Sequence, residues 1–283
     1  MAATSLHDAL GPLLADPSAA AVLLDVDGTL APIVRHADDA HVPEATRRPL
    51  ITVARSYGFV GCVSGRRAAI ARRIVSLGSI TYVGNHGSEV LPGGASETEV
   101  DEEVAAWTER VRAFAAAELT REDVHRTRVR GEDKEAIAAF HWRGAPDEAA
   151  AEAVVEGIAA RADGEGFALH RGRKVLEVRP PVALDKGRGI ERLLTGRGLR
   201  VALYAGDDVT DVDAFAGLRR LVAAGELEAA VCVGVTSDET PDELVRAADL
   251  LVDGPAGVRE LLTVLADAVR GGAVAPAGDP TPG

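Results

Sequence analysis

Ala21-Val-Leu-Leu-Asp25-Val-Asp27-Gly28-Thr29-Leu30 decides the fold of this 283-residue chain. Four apolar residues run straight into a carboxylate, as a strand buried on both faces does when it reaches its C-terminal end. In open parallel sheets, ligands bind beyond that end. Two Asp residues with one residue between them can serve as nucleophile and general acid/base. Gly28 permits a sharp turn, and Thr29 offers a hydroxyl. On these ten residues alone a solvated strand-end turn is the better reading, because Asp and Gly are common there.

Outward from that stretch, strands and helices alternate. Pro43 to Ser56 has helical spacing, Phe59 to Val63 reads as a second buried strand, Arg66 to Leu77 as a helix, and Ile80 to Val83 as a third strand. From Ser88 the pattern changes. Glu97 to Glu118 reads as one acid-rich helix, followed by strands over Asp123 to Arg130 and Glu135 to Trp142. A helix over Pro146 to Ala162 and strands over Phe167 to His170 and Val175 to Val178 come next, closed by Pro180-Pro181. Then alternation resumes, with helices over Lys186 to Leu194, Asp211 to Ala224, Pro241 to Ala248 and Gly257 to Val269. Strands over Val201 to Ala205, Ala230 to Val235 and Leu250 to Val252 separate them. The predicted class is α/β, a doubly wound parallel-sheet core over residues 1–88 and 182–270 with an α+β domain inserted at 89–181. The Gly/Ala/Pro-rich stretch 271–283 is expected to be disordered.

Composition narrows the function. Lys+Arg is 31 against Asp+Glu of 44, a net charge of −13 that repels a polyphosphate backbone, so nucleic acid is not the expected partner. A locally basic pocket can still take a small anion. Cys62 and Cys232 lie in apolar runs and read as buried side chains, which excludes a disulfide framework or a cysteine-rich zinc site. No N-terminal apolar run approaches a membrane span, and no basic region precedes one, so the expected setting is cytoplasmic with no membrane partner. Lys134, Lys174 and Lys186 are the chain's three lysines, each a candidate for a role that a wide guanidinium fork cannot fill.

Other strand and helix ends overturn the reading of Asp25 and Asp27 as a mere turn. The second strand ends in Ser64-Gly65-Arg66, Asp185-Lys186-Gly187 opens a helix, and Val201 to Ala205 ends in Gly206-Asp207-Asp208-Val-Thr210-Asp211. Clustered acids need a hard cation to coexist, and Mg²⁺ favours oxygen ligands completed by substrate phosphate. A lysine, a serine hydroxyl and main-chain N–H groups are suited to phosphoryl oxygens. No Gly-x-x-x-x-Gly-Lys-Ser/Thr stretch occurs, which excludes a P-loop nucleotidase.

In these four motifs the chain resembles the haloacid dehalogenase superfamily of phosphotransferases, with the insert where that superfamily carries a C2-type cap. Within it the chain is similar to the trehalose-6-phosphate phosphatase family. That resemblance rests on Val63-Ser-Gly-Arg66, Gly84-Asn85-His86-Gly87, Gly131-Glu132-Asp133-Lys134, His141-Trp-Arg-Gly-Ala-Pro146, Lys174-Val-Leu-Glu177-Val-Arg179, Asp185-Lys-Gly187 and Gly206-Asp-Asp-Val-Thr-Asp211. Two positions depart from the family pattern: Val212 stands where Glu is frequent, and Trp142 where Tyr is frequent.

The resemblance implies a Mg²⁺-dependent sugar-phosphate phosphatase. Asp25 would form an aspartyl phosphate and Asp27 would act as acid, then base. Asp25, the Asp27 carbonyl and Asp207 would hold the metal, with Asp208 and Asp211 orienting its water shell or Lys186. Ser64 and Lys186 would bind the phosphoryl group. Gly28, Gly65, Arg66, Asn85 and His86 are the further substrate-binding candidates of the core. In the cap, Glu132, Lys134, Arg173 and Glu177 are the candidates for sugar contacts. Arg126, Arg128 and Arg130 read as a solvated strand face. The competing expectations are a phosphatase of sucrose phosphate or a glycosylglycerate phosphate, and a non-catalytic sugar-phosphate sensor.

Overall fold

The computed structural model describes residues 6–34, 39–100, 102–133, 136–182 and 185–272. Lys134 and residues 273–283 of the expected tail lie outside them. The chain forms two compact units, Met1–Glu99 with Leu184–Gly283, and Val100–Ala183. No helix among the described residues is long and apolar enough to cross a membrane.

The core unit opens with α1 (Leu6–Ala15), which no motif announced, and continues through β1 (Ala20–Leu24), α2 (Glu44–Ser56), β2 (Phe59–Val63), α3 (Ala68–Val75), β3 (Thr81–Gly84), β4 (Glu89–Leu91) and β5 (Glu99–Val100). The inserted unit holds α4 (Glu102–Leu119), α5 (Glu122–Thr127), β6 (Arg130–Asp133), β7 (Ala138–His141), α6 (Glu148–Gly164), β8 (Ala168–Gly172) and β9 (Val175–Arg179). The core then resumes with α7 (Lys186–Leu194), β10 (Val201–Gly206), α8 (Val209–Ala223), β11 (Ala229–Thr236), α9 (Asp242–Ala247), β12 (Leu250–Asp253) and α10 (Gly254–Gly272).

The core sheet runs in the order β12-β11-β10-β1-β2-β3-β4-β5. Its members from β12 to β3 are parallel, and β4 is antiparallel to β3. Every residue of β1 is buried. Val22 and Leu24 enter the apolar layer on one face, with side chains of α1, α2, α3 and α10, while Ala21 and Leu23 enter the other with α7 and α8. That two-residue alternation, apolar on both sides, is why the strand reads as an unbroken hydrophobic run.

Three expectations are corrected. The insert begins at residue 100 rather than 89, because β4 and β5 still belong to the core sheet's edge. The acid-rich helix starts at Glu102, placing Glu102 and Glu103 in the first turn where the helix dipole favours them. Asp123 to Arg130 is not a strand. The short helix α5 begins at Glu122, with Asp123 in its first turn accepting from the Val124 N–H at 3.0 Å, and Arg128 ends it in the left-handed region at φ 57°. Arg126, Arg128 and Arg130 therefore occupy three different backbone states and share no strand face. In the inserted sheet, β6-β7-β9-β8, all pairings are antiparallel.

Candidate active site

The parallel strands deliver the candidate residues to one edge. Asp25 follows β1, where its N–H donates to the Ala205 carbonyl at 2.8 Å. Ser64 follows β2 and is pinned by its N–H to the Val83 carbonyl at 2.9 Å. Asp207 follows β10. Around these ends lies a cavity of about 610 Å³ lined by Asp25, Asp27, Ser64, Arg66, Lys186 and Asp207, among others.

Lys186 occupies the first position of α7, where a helix dipole disfavours a cation. Two carboxylates reverse that preference. Its Nζ donates to Asp25 Oδ1 at 2.7 Å and to Asp211 Oδ1 at 2.6 Å, with the ammonium group almost fully buried. Burial opposes the lysine charge, but Asp25 and Asp211 outweigh it and hold the group above the usual lysine range. For Asp25, burial comes first, and with help from Asp211 and Asp207 it raises the carboxyl well above its usual range against the pull of Lys186. The helices that carry Lys186 and Asp211, α7 and α8, cross closely: a Cβ at Gly217 would stand 2.6 Å from the Gly187 Cα.

Asp25, Asp207 and Asp211 bring carboxylate oxygens within 4.8 Å of one another, against a single ammonium. Their roles differ. Asp211 is saturated: Oδ1 accepts from Lys186 and from the Tyr204 hydroxyl at 2.6 Å, and Oδ2 from the N–H groups of Asp207 and Asp208 at 2.8 and 2.9 Å. Four donors use up its lone pairs. Asp211 thus orients Lys186 and the fourth motif's backbone, whereas Asp208 caps α8. Asp207 accepts from Thr29 Oγ1 at 3.2 Å, and its carboxyl is pushed up to about 6, chiefly by burial and then by Asp211. The oxygens left for a hard cation belong to Asp25 and Asp207.

The remaining candidates divide. Ser64 Oγ accepts from the Arg66 N–H at 3.1 Å, a bond that leaves the hydroxyl proton available to donate. Arg66 grips Asp27, its Nε donating to Oδ2 at 2.6 Å and its Nη2 to Oδ1 at 2.7 Å. Gly28, at φ +81°, was expected to bind substrate, but its N–H is already donated to the Ala31 carbonyl at 2.8 Å. Its importance is spatial, since a Cβ there would collide with Asp207 Oδ2. Gly65 gives similar room to the His86 ring, which lines the cavity. Asn85 is not in that lining; its N–H donates to the Arg66 carbonyl at 2.9 Å. Asn85 and His86 both adopt left-handed backbone, at φ 47° and 56°. Such strain in consecutive non-glycine residues is concentrated at functional sites.

In the inserted unit, Glu132, Ala139 and Glu177 stand side by side across β6, β7 and β9. Glu132 pairs with His141 Nε2 at 2.8 Å, and Glu177 with Arg179. Arg173 is not brought to this row: it sits in the turn between β8 and β9, and its carbonyl accepts from Arg143. Sequence reasoning missed Tyr204. Its signal was a phenol inside an otherwise aliphatic buried strand, where the hydroxyl must find an acceptor.

A family model described as trehalose-phosphatase matches residues 23–246, from β1 to α9. The chain belongs to the trehalose-phosphatase family, a family of phosphomonoester hydrolases. A trehalose 6-phosphate phosphatase of Zea mays is 31% identical over 274 residues, covering 90% of this chain and 73% of that one. The chain spans 15% to 68% of the length of the other curated relatives it matches. The solved trehalose-6-phosphate phosphatase of Aspergillus fumigatus shares the fold at a TM-score of 0.62 and 23% identity, covering 91% of this chain and 97% of that one. A haloacid dehalogenase-like hydrolase from Bacteroides thetaiotaomicron shares it at 0.57 and 15% identity, covering 86% and 98%. The α/β core with its inserted α+β unit is thus a fold of the haloacid dehalogenase type.

Proposed function

We propose that this chain hydrolyses trehalose 6-phosphate to trehalose and phosphate, with Mg²⁺ and through an aspartyl phosphate on Asp25, in trehalose biosynthesis. The observation that carries the reading is the buried Lys186–Asp25 pair beside Ser64 and Asp207 at the edge of the parallel sheet. Lys186 occupies Asp25 Oδ1, and Oδ2 has no hydrogen-bond partner among the described residues. One carboxylate oxygen is therefore held for attack.

Asp25 attacks phosphorus, and the bond from phosphorus to the sugar oxygen breaks as Asp27 gives that oxygen its proton. Water then attacks the phosphorus carried by Asp25, passes its proton to Asp27, and phosphate departs with the Asp25 carboxylate restored. The Ser64 hydroxyl and the Lys186 ammonium hold the non-bridging oxygens throughout. The donor set fits a hard divalent cation: Asp25 and Asp207 carboxylates, with the Asp27 carbonyl, would hold Mg²⁺, and it supplies charge neutralisation of the phosphoryl group.

Sugar recognition falls to Glu132, Lys134 and Glu177. Glu132 and Glu177 flank Ala139 on neighbouring strands, and carboxylates suit a polyol. Such groups discriminate because a missing hydroxyl leaves them unpaired.

Phosphate release from trehalose 6-phosphate, sucrose phosphate and a glycosylglycerate phosphate, with Mg²⁺ and in excess chelator, tests the reading. Trehalose 6-phosphate is expected to give the highest kcat/KM, abolished by chelator and restored by Mg²⁺. Preference for another ester would overturn the substrate; full activity in chelator would overturn the metal.

A further inference from the structure

We propose that Arg66 is a positioning residue for Asp27, aligning its carboxyl group for proton transfer to the leaving oxygen. The inference rests on the phosphatase reading above and assigns Arg66 a role other than the substrate binding expected from its motif.

Among the described residues, Arg66 makes all the hydrogen bonds to the Asp27 side chain, at 2.6 and 2.7 Å. Two parallel bonds from a planar fork fix both the plane and the rotation of a carboxyl group, which a single contact cannot do. Each Asp27 oxygen still keeps a lone-pair position for the leaving oxygen or for water. The fork is itself anchored. The Arg66 N–H donates to Ser64 Oγ at 3.1 Å, and the Arg66 carbonyl accepts from Asn85 at 2.9 Å. Asn85 stands in the left-handed pair with His86, so the strained turn after β3 holds the arginine's main chain in register with β2. Arg66 and Asp27 are both only partly exposed, with side chains at 23% and 33%, and both line the cavity. Such a pair is neither a freely solvated surface bridge nor a buried structural one.

The consequence is a dependence on the leaving group. A sugar alkoxide is a poor leaving group and needs its proton from Asp27, whereas p-nitrophenolate departs without one. Because kcat/KM covers the steps up to departure of the first product, the later action of Asp27 as base does not enter it. A residue that positions Asp27 therefore changes the ratio of the two specificities, whereas a residue that binds the phosphoryl group changes both alike.

The experiment measures kcat/KM for trehalose 6-phosphate and p-nitrophenyl phosphate in the parent, Arg66→Ala, Arg66→Lys, Asp27→Asn and the Arg66→Ala/Asp27→Asn double variant. General acid catalysis contributes about 10²–10⁴-fold. Arg66→Ala is expected to lower the sugar-to-aryl ratio at least about 30-fold, in the same direction as Asp27→Asn. Arg66→Lys keeps a charge without the fork and should lie nearer to Arg66→Ala than to the parent. In the Asp27→Asn background, removing Arg66 should leave the ratio where it already stands, as expected of residues acting as one unit. Parallel losses on the two esters would overturn the proposal and return Arg66 to phosphate binding or to the fold, and an unmoved ratio would overturn it too. If the parent prefers a different alkyl phosphate, the substrate reading fails, and the ratio taken with that ester still decides the role of Arg66.

Discussion

The chain carries two charged clusters built on opposite terms. At the core sheet's edge, Lys186, Asp25 and Asp211 are 4%, 7% and 0% exposed, and their partners come from β1, α7, α8 and β10. On the inserted sheet, Glu132 is 51% and His141 28% exposed, while Glu177, 13% exposed, meets an arginine two residues along its own strand. A buried pair sits in low dielectric, where the interaction is strong and removal of one member strands the other. The half-exposed Glu132–His141 pair is worth about 0–1 kcal/mol, so its members can exchange partners for a sugar hydroxyl at little cost, whereas Glu177 is held more firmly beside Arg179. On the proposed function, the difference becomes a division of labour: fixed geometry where phosphorus would react, more adaptable polarity where the substrate would be told from its relatives.

The sharpest way to break that division is Asp25→Asn. The change is isosteric and the amide cannot attack phosphorus, so turnover of every ester should fall at least about 10⁴-fold with the fold intact by circular dichroism. Quenching the parent in mid-turnover should give a phosphorylated peptide containing Asp25. Substantial activity in the variant would remove the nucleophile from the core cluster.

Asp207→Asn sets function against stability. With Mg²⁺, turnover should fall at least about 100-fold, because a ligand and its charge are lost. In excess chelator at pH 7 the variant should be more stable than the parent. A carboxyl raised to about 6 is ionised in the native state above that pH at a cost the amide does not incur. The group is only half-buried, so solvent screening should keep the difference to about 1–2 kcal/mol. It should be fully present above pH 6 and vanish as pH falls toward 4, read as the gap between urea midpoints. A parent more stable than the variant in chelator would mean that Asp207 is not charge-strained.

Tyr204→Phe probes how far the rigidity of the core cluster extends. It deletes one of the four donors to Asp211 and leaves the ring in place, a loss of roughly 1.5–3 kcal/mol for a bond to a charged group. Both alkyl and aryl phosphates should lose about tenfold in kcat together, because the damage reaches them through Lys186. A loss confined to one ester would separate Tyr204 from the lysine.

Legibility in the sequence follows the same division. β1, β2 and β10 were readable because strands buried on both faces are uninterrupted apolar runs, and each ends at a polar group that the buried edge cannot use structurally. Asp25, Ser64 and Asp207 were readable for the same reason, and Lys186 as a helix start after Asp185. What stayed hidden was which acid answers which cation. Asp208 and Asp211 look alike in sequence, and only the hydrogen bonds show that one caps a helix while the other is consumed by four donors. Arg66 gave no sign that its fork would close on Asp27, 39 positions earlier. In the insert, the alternating arginines from Arg126 to Arg130 imitated a strand because side-chain period alone cannot register a helix end in the left-handed region. Arg173, read with Glu177 as a sugar contact, is carried off by the turn between β8 and β9.

The division itself is tested most directly by comparing Lys186→Ala with Glu177→Ala on trehalose 6-phosphate and on p-nitrophenyl phosphate. The expected result is that Lys186→Ala lowers kcat/KM for both by a similar factor of at least about 100, since it removes the cation beside the transferring group. Glu177→Ala should lower it at least about tenfold for trehalose 6-phosphate, the cost of one charged hydrogen bond, and less than about threefold for the aryl ester. Equal losses on both esters for Glu177→Ala, or a Lys186→Ala enzyme that spares the aryl ester, would contradict the assignment of chemistry to the core and recognition to the insert.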